Sequence, residues 1–427
     1  MTPELLAPAG NLKKLKYAIA FGADAVYLGA PGFSLRARIN EFTSAKIKQG
    51  IEYAHARGVK VYITLNIFAH NHHLKKLPSH LKQLNHQASS FRPDALIISD
   101  PGILTYVKKH FPKIKIILST QANVTNWQSA KFWYEQGVKR IILARELTLK
   151  EITEIHKRVP KLELECFVHG AMCMSYSGRC LLSKWINNRE ANLGDCSHPC
   201  RWSYDIKTLK HKNIKTNDEF ILSEKGHPDI EMMVKQGEEG SYVLNSRDLC
   251  LIKHLDQLKK AGVYSFKIEG RTKSIYYLST VTRAYRRVLD RLESPAQAMK
   301  DLNKLQTRGY SYGFLFGRER VEQNDERSHE KINWEFAGEV IDSLPINKKE
   351  SKRLPSFKTN ILVHNTLCIN DKIEFIPPKG KVVKMILKKM WNSQGKEIQE
   401  AHGGRNQKVM IESNITFPKM AIIRRKL

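Results

Sequence analysis

Five of the seven cysteines in this 427-residue chain fall within CFVHGAMCMSYSGRCLLSKWINNREANLGDCSHPC, from Cys166 to Cys200. Three chemistries gather thiols in this way. Structural zinc favours short knuckles with two residues between paired cysteines. Here Cys173 and Cys180 stand too far apart for that, and only Cys196 and Cys200 make a close pair. A cysteine nucleophile needs one thiolate beside a histidine. Cys166 and Cys173 flank His169, but that chemistry needs no cluster. An iron–sulfur centre needs four converging thiolates and tolerates irregular spacing when the fold supplies convergence. Gly170, Gly178 and Gly194 suit a tightly turning loop around such a cage. Cys166 and Cys368 read instead as small core residues. Cys250 reads either as a thiol reaching the cluster or as part of an apolar helix face.

Just upstream, Glu165 and His169 fall on one face of a strand if side chains alternate strictly. They form a candidate acid–base pair. Arg36, Arg38, Lys267 and Arg271 are candidates for binding phosphates or a dicarboxylate.

These residues need a scaffold, and the sequence alternates strand and helix patterns. LLAPAG, DAVYLG, VKVYITLN, DALIISD, IKIILSTQ, KRIILARE and LELECFVHG read as seven apolar strands, and VYSFKIEG as an eighth. Helical patterns lie between them. Asn11 and Asp100 are expected to cap two of these helices, and Pro78 to interrupt a third. Eight such strands predict a (β/α)8 TIM-like barrel, with an open doubly wound sheet as the alternative. In a barrel the strands' C-terminal ends carry function, and here they bring Asn66, Asp100, Gln121, Arg145, His169 and Glu269. The barrel is assigned residues 1–330. A cysteine-rich insertion at about 171–262 precedes its last strand, and KTLKHKNIKTNDE within it reads as a loop or hairpin tip. VEQNDERSHEKINWE reads as a linker. Beyond it, 336–427 carries short β-rich runs separated by turn residues, which predict a small basic β-barrel domain with a surplus of about ten positive charges.

The whole chain has a formal net charge of +29 and a pI of about 9.7, an excess that favours phosphate-rich polymers. No apolar run is long enough to span a bilayer as a helix, and MTPELLAPAG lacks a secretory pattern. The expectation is a cytoplasmic protein with reduced thiols and no membrane partner. No HExxH or GxSxG motif points to a metallopeptidase or serine hydrolase.

PELLAPAG, GADAVYLG, FSLRAR, ECFVHGAMCMSYSGRC and YSFKIEGRTKS together resemble the collagenase-like peptidase family U32 across nearly the whole chain. Within it the chain is most similar to the branch of tRNA 5-hydroxyuridine synthases. REANLGDCSHPCRW and LNSRDLC belong to the same comparison. The resemblance implies hydroxylation of the wobble uridine in the tRNA anticodon arm, a 4Fe-4S cluster and prephenate as cosubstrate. Carried over by position, the cluster ligands are Cys173, Cys180, Cys196 and Cys200, with Cys250 the rival for the fourth. Asn66, Gln121, Lys267, Glu269 and Arg271, with Arg36 and Arg38, become the substrate-binding set. Glu165 and His169 become the catalytic pair. The alternatives are hydroxylation of another RNA such as ribosomal RNA, peptidase activity with His169, and an RNA-binding protein without catalysis.

Overall fold

A computed structural model of the chain describes residues 2–34, 41–84, 92–173, 175–176, 179–189, 191, 195–202, 204–208, 219–224, 227–235, 246–317, 329–346, 356–404 and 407–427. Arg36, Arg38, Gly178, Gly194, the KTLKHKNIKTNDE tip from 209 onward and most of the expected linker lie outside these residues.

The eight expected strands form a closed parallel barrel. They are β1 (Glu4–Pro8), β2 (Ala25–Gly29), β3 (Lys60–Leu65), β4 (Ala95–Ile98), β5 (Lys115–Leu118), β6 (Arg140–Ile142), β7 (Glu163–Gly170) and, after the insertion, β12 (Val263–Ile268). Each of the first seven pairs in parallel with the next. β12 closes the ring by pairing with both β7 and β1. The apolar strands are buried on both faces, as a helix-wrapped barrel requires. Polar caps start the surrounding helices: Asn11 accepts from the Lys14 amide at α1 (Leu12–Ala20), and Asp100 accepts from Ile103 at α4 (Pro101–His110).

Pro78 does not interrupt its helix. α3 (Asn71–Leu84) runs through it and buries Leu77, Leu81 and Leu84 on one face. Burial of three leucines, at about 1.5–3 kcal/mol each, exceeds the roughly 3 kcal/mol that an interior proline costs.

The insertion contributes β8 (Tyr204–Thr208), β9 (Glu219–Glu224) and β10 (His227–Lys235) in an antiparallel sheet, with β8 and β9 flanking the expected hairpin tip. It also contributes β11 (Asp248–Cys250), which pairs antiparallel with the end of β7. The last barrel helices are α9 (Ile275–Leu289) and α10 (Pro295–Leu302).

From β14 (Trp334–Pro345) to β22 (Ile422–Lys426) the chain forms a seven-stranded antiparallel sheet that curls over its own apolar core. Phe375 and Phe417 stack there at 3.7 Å between ring centroids. Cys368, expected in that core, is only half-buried. The sheet docks on the barrel through polar groups. Glu339 takes Lys13 and Tyr17 from α1, and the buried Arg424 takes Glu374 of its own sheet and Asp301 of α10. Tyr276 stacks on Phe336 across the same seam. Among the described residues no helix is long and apolar enough to cross a membrane.

Candidate active site at the barrel mouth

The barrel's interior is ionic. Glu4 on β1 bonds Arg140 on β6 at 2.6 Å; the two strands are not neighbours, so the contact crosses the barrel. Arg140 also holds Glu163 at 2.8 Å and Glu165 at 3.1 Å, both on β7. Tyr62 on β3 donates to Glu4 at 2.8 Å. Burial opposes the charge on Arg140, but the carboxylates of Glu165 and Glu4 outweigh it and push its pKa up. The second oxygen of Glu165 accepts from Lys267 Nζ on β12 at 3.0 Å. Lys267 sits 4.1 Å from the Tyr27 ring centroid and is fully enclosed. Burial lowers its pKa despite the neighbouring Glu165.

Above this network lie the strand ends. Arg271, just past β12, donates to Thr64 Oγ1 at 3.2 Å across the mouth. Tyr27 donates to the Ile268 carbonyl at 3.0 Å and to Glu269 at 3.3 Å. Asn66 reaches Ser119 at 3.4 Å. Gln121, in the short turn after β5, is fully buried, and neither of its amide atoms has a hydrogen-bond partner among the described residues. A buried amide of that kind costs about 1–3 kcal/mol, which marks Gln121 as a group able to recognise a ligand. Arg145 stacks over Phe167 at 4.1 Å and holds the Ala171 carbonyl. The structure thus brings Asn66, Gln121, Lys267, Glu269 and Arg271 to one end of the barrel, with Glu165 directly beneath Lys267.

His169 is not with them. After an irregularity at Tyr264, β7 and β12 run in register from Glu165 opposite Ser265 to Phe167 opposite Lys267, but His169 then stands opposite Ile268, leaving Val168 as an extra residue. This bulge ends the strict alternation. Glu165 faces the interior, whereas His169 turns outward to Tyr285 on α9, with Nδ1 3.3 Å from its hydroxyl. The expected shared face of Glu165 and His169 is therefore corrected: the two make no pair. Burial drives the His169 pKa down to about 3. Gly170 follows at φ +121°, where an added Cβ would lie 2.7 Å from that of Glu269. Only glycine lets β7 and the turn after β12 approach so closely.

The cysteine segment leaves the barrel at this same end. Arg179, between Cys173 and Cys180, lies 5.6 Å over Phe68 just beyond β3. A short helix, α7 (Leu182–Asn187), is tied to the turn carrying Cys196 and Cys200. The Ser183 hydroxyl meets that of Ser197 at 2.9 Å and accepts the Ser197 amide at 3.0 Å. Arg189 pairs with Asp195 at 3.0 Å. None of the seven cysteines is in a disulfide; Cys173 is exposed and Cys180, Cys196 and Cys200 are half-buried. As a donor set these thiols suit an iron–sulfur centre. Among the described residues, however, no three cysteine, histidine, aspartate or glutamate side chains converge on one ion position. Cys250 is neither on a helix nor turned to the other thiols. It lies on β11, buried against Tyr285 and Met299, and burial pushes its pKa up to about 11. Cys166 is buried in β7, and burial raises its pKa as well, the reverse of what a thiolate nucleophile needs.

The sequence reading missed Glu4, Tyr62 and Arg140. The signal was there: KRIIL carries an arginine at the head of an otherwise apolar strand.

The model of peptidase family U32 matches residues 10–325, and that of the U32 C-terminal domain matches 333–424. The chain belongs to peptidase family U32. Among its U32 relatives is the tRNA hydroxylation protein P of Haemophilus influenzae, 39% identical over 94% of this chain and 91% of that protein. The protein of the same name from Escherichia coli is 40% identical over 94% and 92%. The 23S rRNA 5-hydroxycytidine C2501 synthase of Escherichia coli is 36% identical over 67% of this chain and 39% of that protein.

Proposed function

We propose that this chain is an RNA hydroxylase, and that its substrate is tRNA, hydroxylated to 5-hydroxyuridine at the wobble position with prephenate as cosubstrate. The observation that carries this reading is the end-to-end match, both domains included, to relatives named for tRNA hydroxylation. The relative named for ribosomal RNA matches only 67% of this chain and 39% of its own length.

The mouth has groups for each part of such a reaction. Lys267 and Arg271 are cations at its floor and wall, suited to the carboxylates of prephenate. Glu165, clamped between Arg140 and Lys267, holds Lys267 in place rather than moving protons. Gln121 offers one donor and one acceptor, the pattern that pairs with the Watson–Crick edge of a pyrimidine. An anticodon-loop base is already single-stranded, so its entry costs little unstacking. A 4Fe-4S cluster on Cys173, Cys180, Cys196 and Cys200 would supply one-electron chemistry beside this mouth; Cys250, turned to Tyr285 and Met299, is the poorer candidate for a fourth ligand.

The test is nucleoside mass spectrometry of tRNA and ribosomal RNA from a deletion strain carrying wild-type, Cys173→Ser or Lys267→Met genes. The expected result is 5-hydroxyuridine and its derivatives absent from tRNA in the deletion, restored by wild type and not by either variant. Unchanged tRNA with a lost ribosomal 5-hydroxycytidine would replace the substrate. Unchanged nucleosides throughout would sink the hydroxylase reading.

A further inference from the structure

The opposite end of the barrel is built differently. A cleft of about 550 Å³ opens at the N-terminal ends of β5, β6 and β7, walled by Lys108, Lys113, Lys115, Lys139 and Lys161 over Phe111 and Ile114. Five lysines face one carboxylate, Glu163, which is already held by Lys115 at 2.9 Å and Arg140 at 2.8 Å. Lys108, Lys113, Lys139 and Lys161 are exposed and have no ion-pair partner among the described residues. The end of α4 accounts for Lys108, since cations suit a helix C-terminus. Lys113, Lys139 and Lys161 lie in loops beyond the last turns of their helices, so helix dipoles do not account for the cluster.

We propose that this basal cleft binds the phosphodiester backbone of RNA, separately from the mouth. Four unneutralised ammonium groups within one cleft repel one another, and a polyanion relieves that repulsion. The half-buried Phe111 and Ile114 give the cleft an apolar floor suited to ribose and base edges, which a site for phosphate alone would not need. The two ends are close enough for one RNA. At about 3.3 Å per residue, the eight residues of β7 span on the order of 25 Å, comparable to about seven stacked base steps. The inference rests on the RNA-directed reading for its partner but not for its chemistry.

The experiment uses the full chain with Lys108, Lys113, Lys139 and Lys161 all changed to glutamine. A control changes Lys46, Lys48, Lys259 and Lys260, exposed lysines of other helices. Binding of unfractionated tRNA is followed by fluorescence anisotropy across a salt series. Each phosphate contact contributes roughly 0.7–0.9 to the slope of log K against log salt. The basal variant should therefore lose about 3 from that slope, and the control much less. Lysine acetylation read by mass spectrometry should show the four basal lysines protected by tRNA. A basal variant with the wild-type slope overturns the proposal. So does protection by inorganic tripolyphosphate but not by tRNA, which makes the cleft a small-anion site. Both readouts are independent of hydroxylation. If nucleoside analysis fails while the slope changes, the proposed reaction falls and the cleft stands; the reverse result removes only the cleft.

Discussion

The two ends of one barrel use cations in opposite ways. At the mouth, Lys267 is enclosed and hydrogen-bonded to Glu165, which Arg140 also holds. At the base, Lys108, Lys113, Lys139 and Lys161 stand in water with no ion-pair partner among the described residues. The difference follows from desolvation. A charge taken out of water must be paired, and its partners then fix its position to within a bond length. A charge left in water needs no partner and has no fixed place. The first arrangement suits recognition of one small molecule, the second attraction of a polymer. Substitution should therefore act strongly on stability in the enclosed ion network of the interior and weakly among the exposed basal lysines.

The largest effect is expected at Arg140, which is wholly buried and answers three carboxylates. Arg140→Met leaves Glu4 and Glu165 without their main counter-charge. Breaking a buried ion pair from one side costs about 3–5 kcal/mol. Urea unfolding should show at least that loss, with a partial return in Arg140→Met combined with Glu4→Gln. A loss under about 1 kcal/mol would mean that water reaches the network and that enclosed and exposed cations of this barrel behave alike.

The ends also differ in how legible they were. The barrel was readable because apolar strand runs and capped helices repeat along the chain, and each local preference agreed with the fold. The strand ends followed from that, which is why Asn66, Gln121 and Glu269 could be named together. Two kinds of feature escaped. The bulge at Val168 is a one-residue change of register, set by the pairing of β7 with β12 and β11. Nothing in FVHG announces it, so His169 was given the wrong face. The interior ion network depends on contacts across the barrel between residues more than a hundred positions apart, such as Glu4 and Arg140. Periodicity within one strand cannot show them. The basal cleft was hidden for the opposite reason: its lysines look like ordinary surface charge until the fold gathers three loops.

His169 provides a second, intermediate test. Burial, partly opposed by Asp248 and reinforced by Lys273, holds its pKa at about 3 in the folded state, against about 6.5 when unfolded. The unfolded chain therefore binds a proton that the folded chain refuses. Stability from the neutral imidazole is fully present above pH 6.5 and falls as pH drops towards 3, by up to about 1.4 kcal/mol per unit. Between pH 6.5 and 5, before most carboxylates titrate, wild type should lose stability more steeply than His169→Phe. Equal slopes would show that the imidazole takes up its proton in the folded state and that this end is wetter than its packing against Tyr285 implies.

The smallest effect is expected at the base. Lys161→Gln removes one exposed charge that has no partner among the described residues. Surface changes of this kind stay within about 0.5 kcal/mol. Here the sign should be stabilising at low salt, because the substitution relieves repulsion from Lys113 and Lys139 in the same cleft. The gain should vanish near 1 M salt, where the screening length falls to about 3 Å. Thermal unfolding at two salt concentrations decides it. Destabilisation by more than about 1 kcal/mol would show Lys161 tied to the fold, as Lys267 is tied to Glu165. The cleft would then be part of the scaffold, and the contrast between the two ends would lie in depth of burial alone.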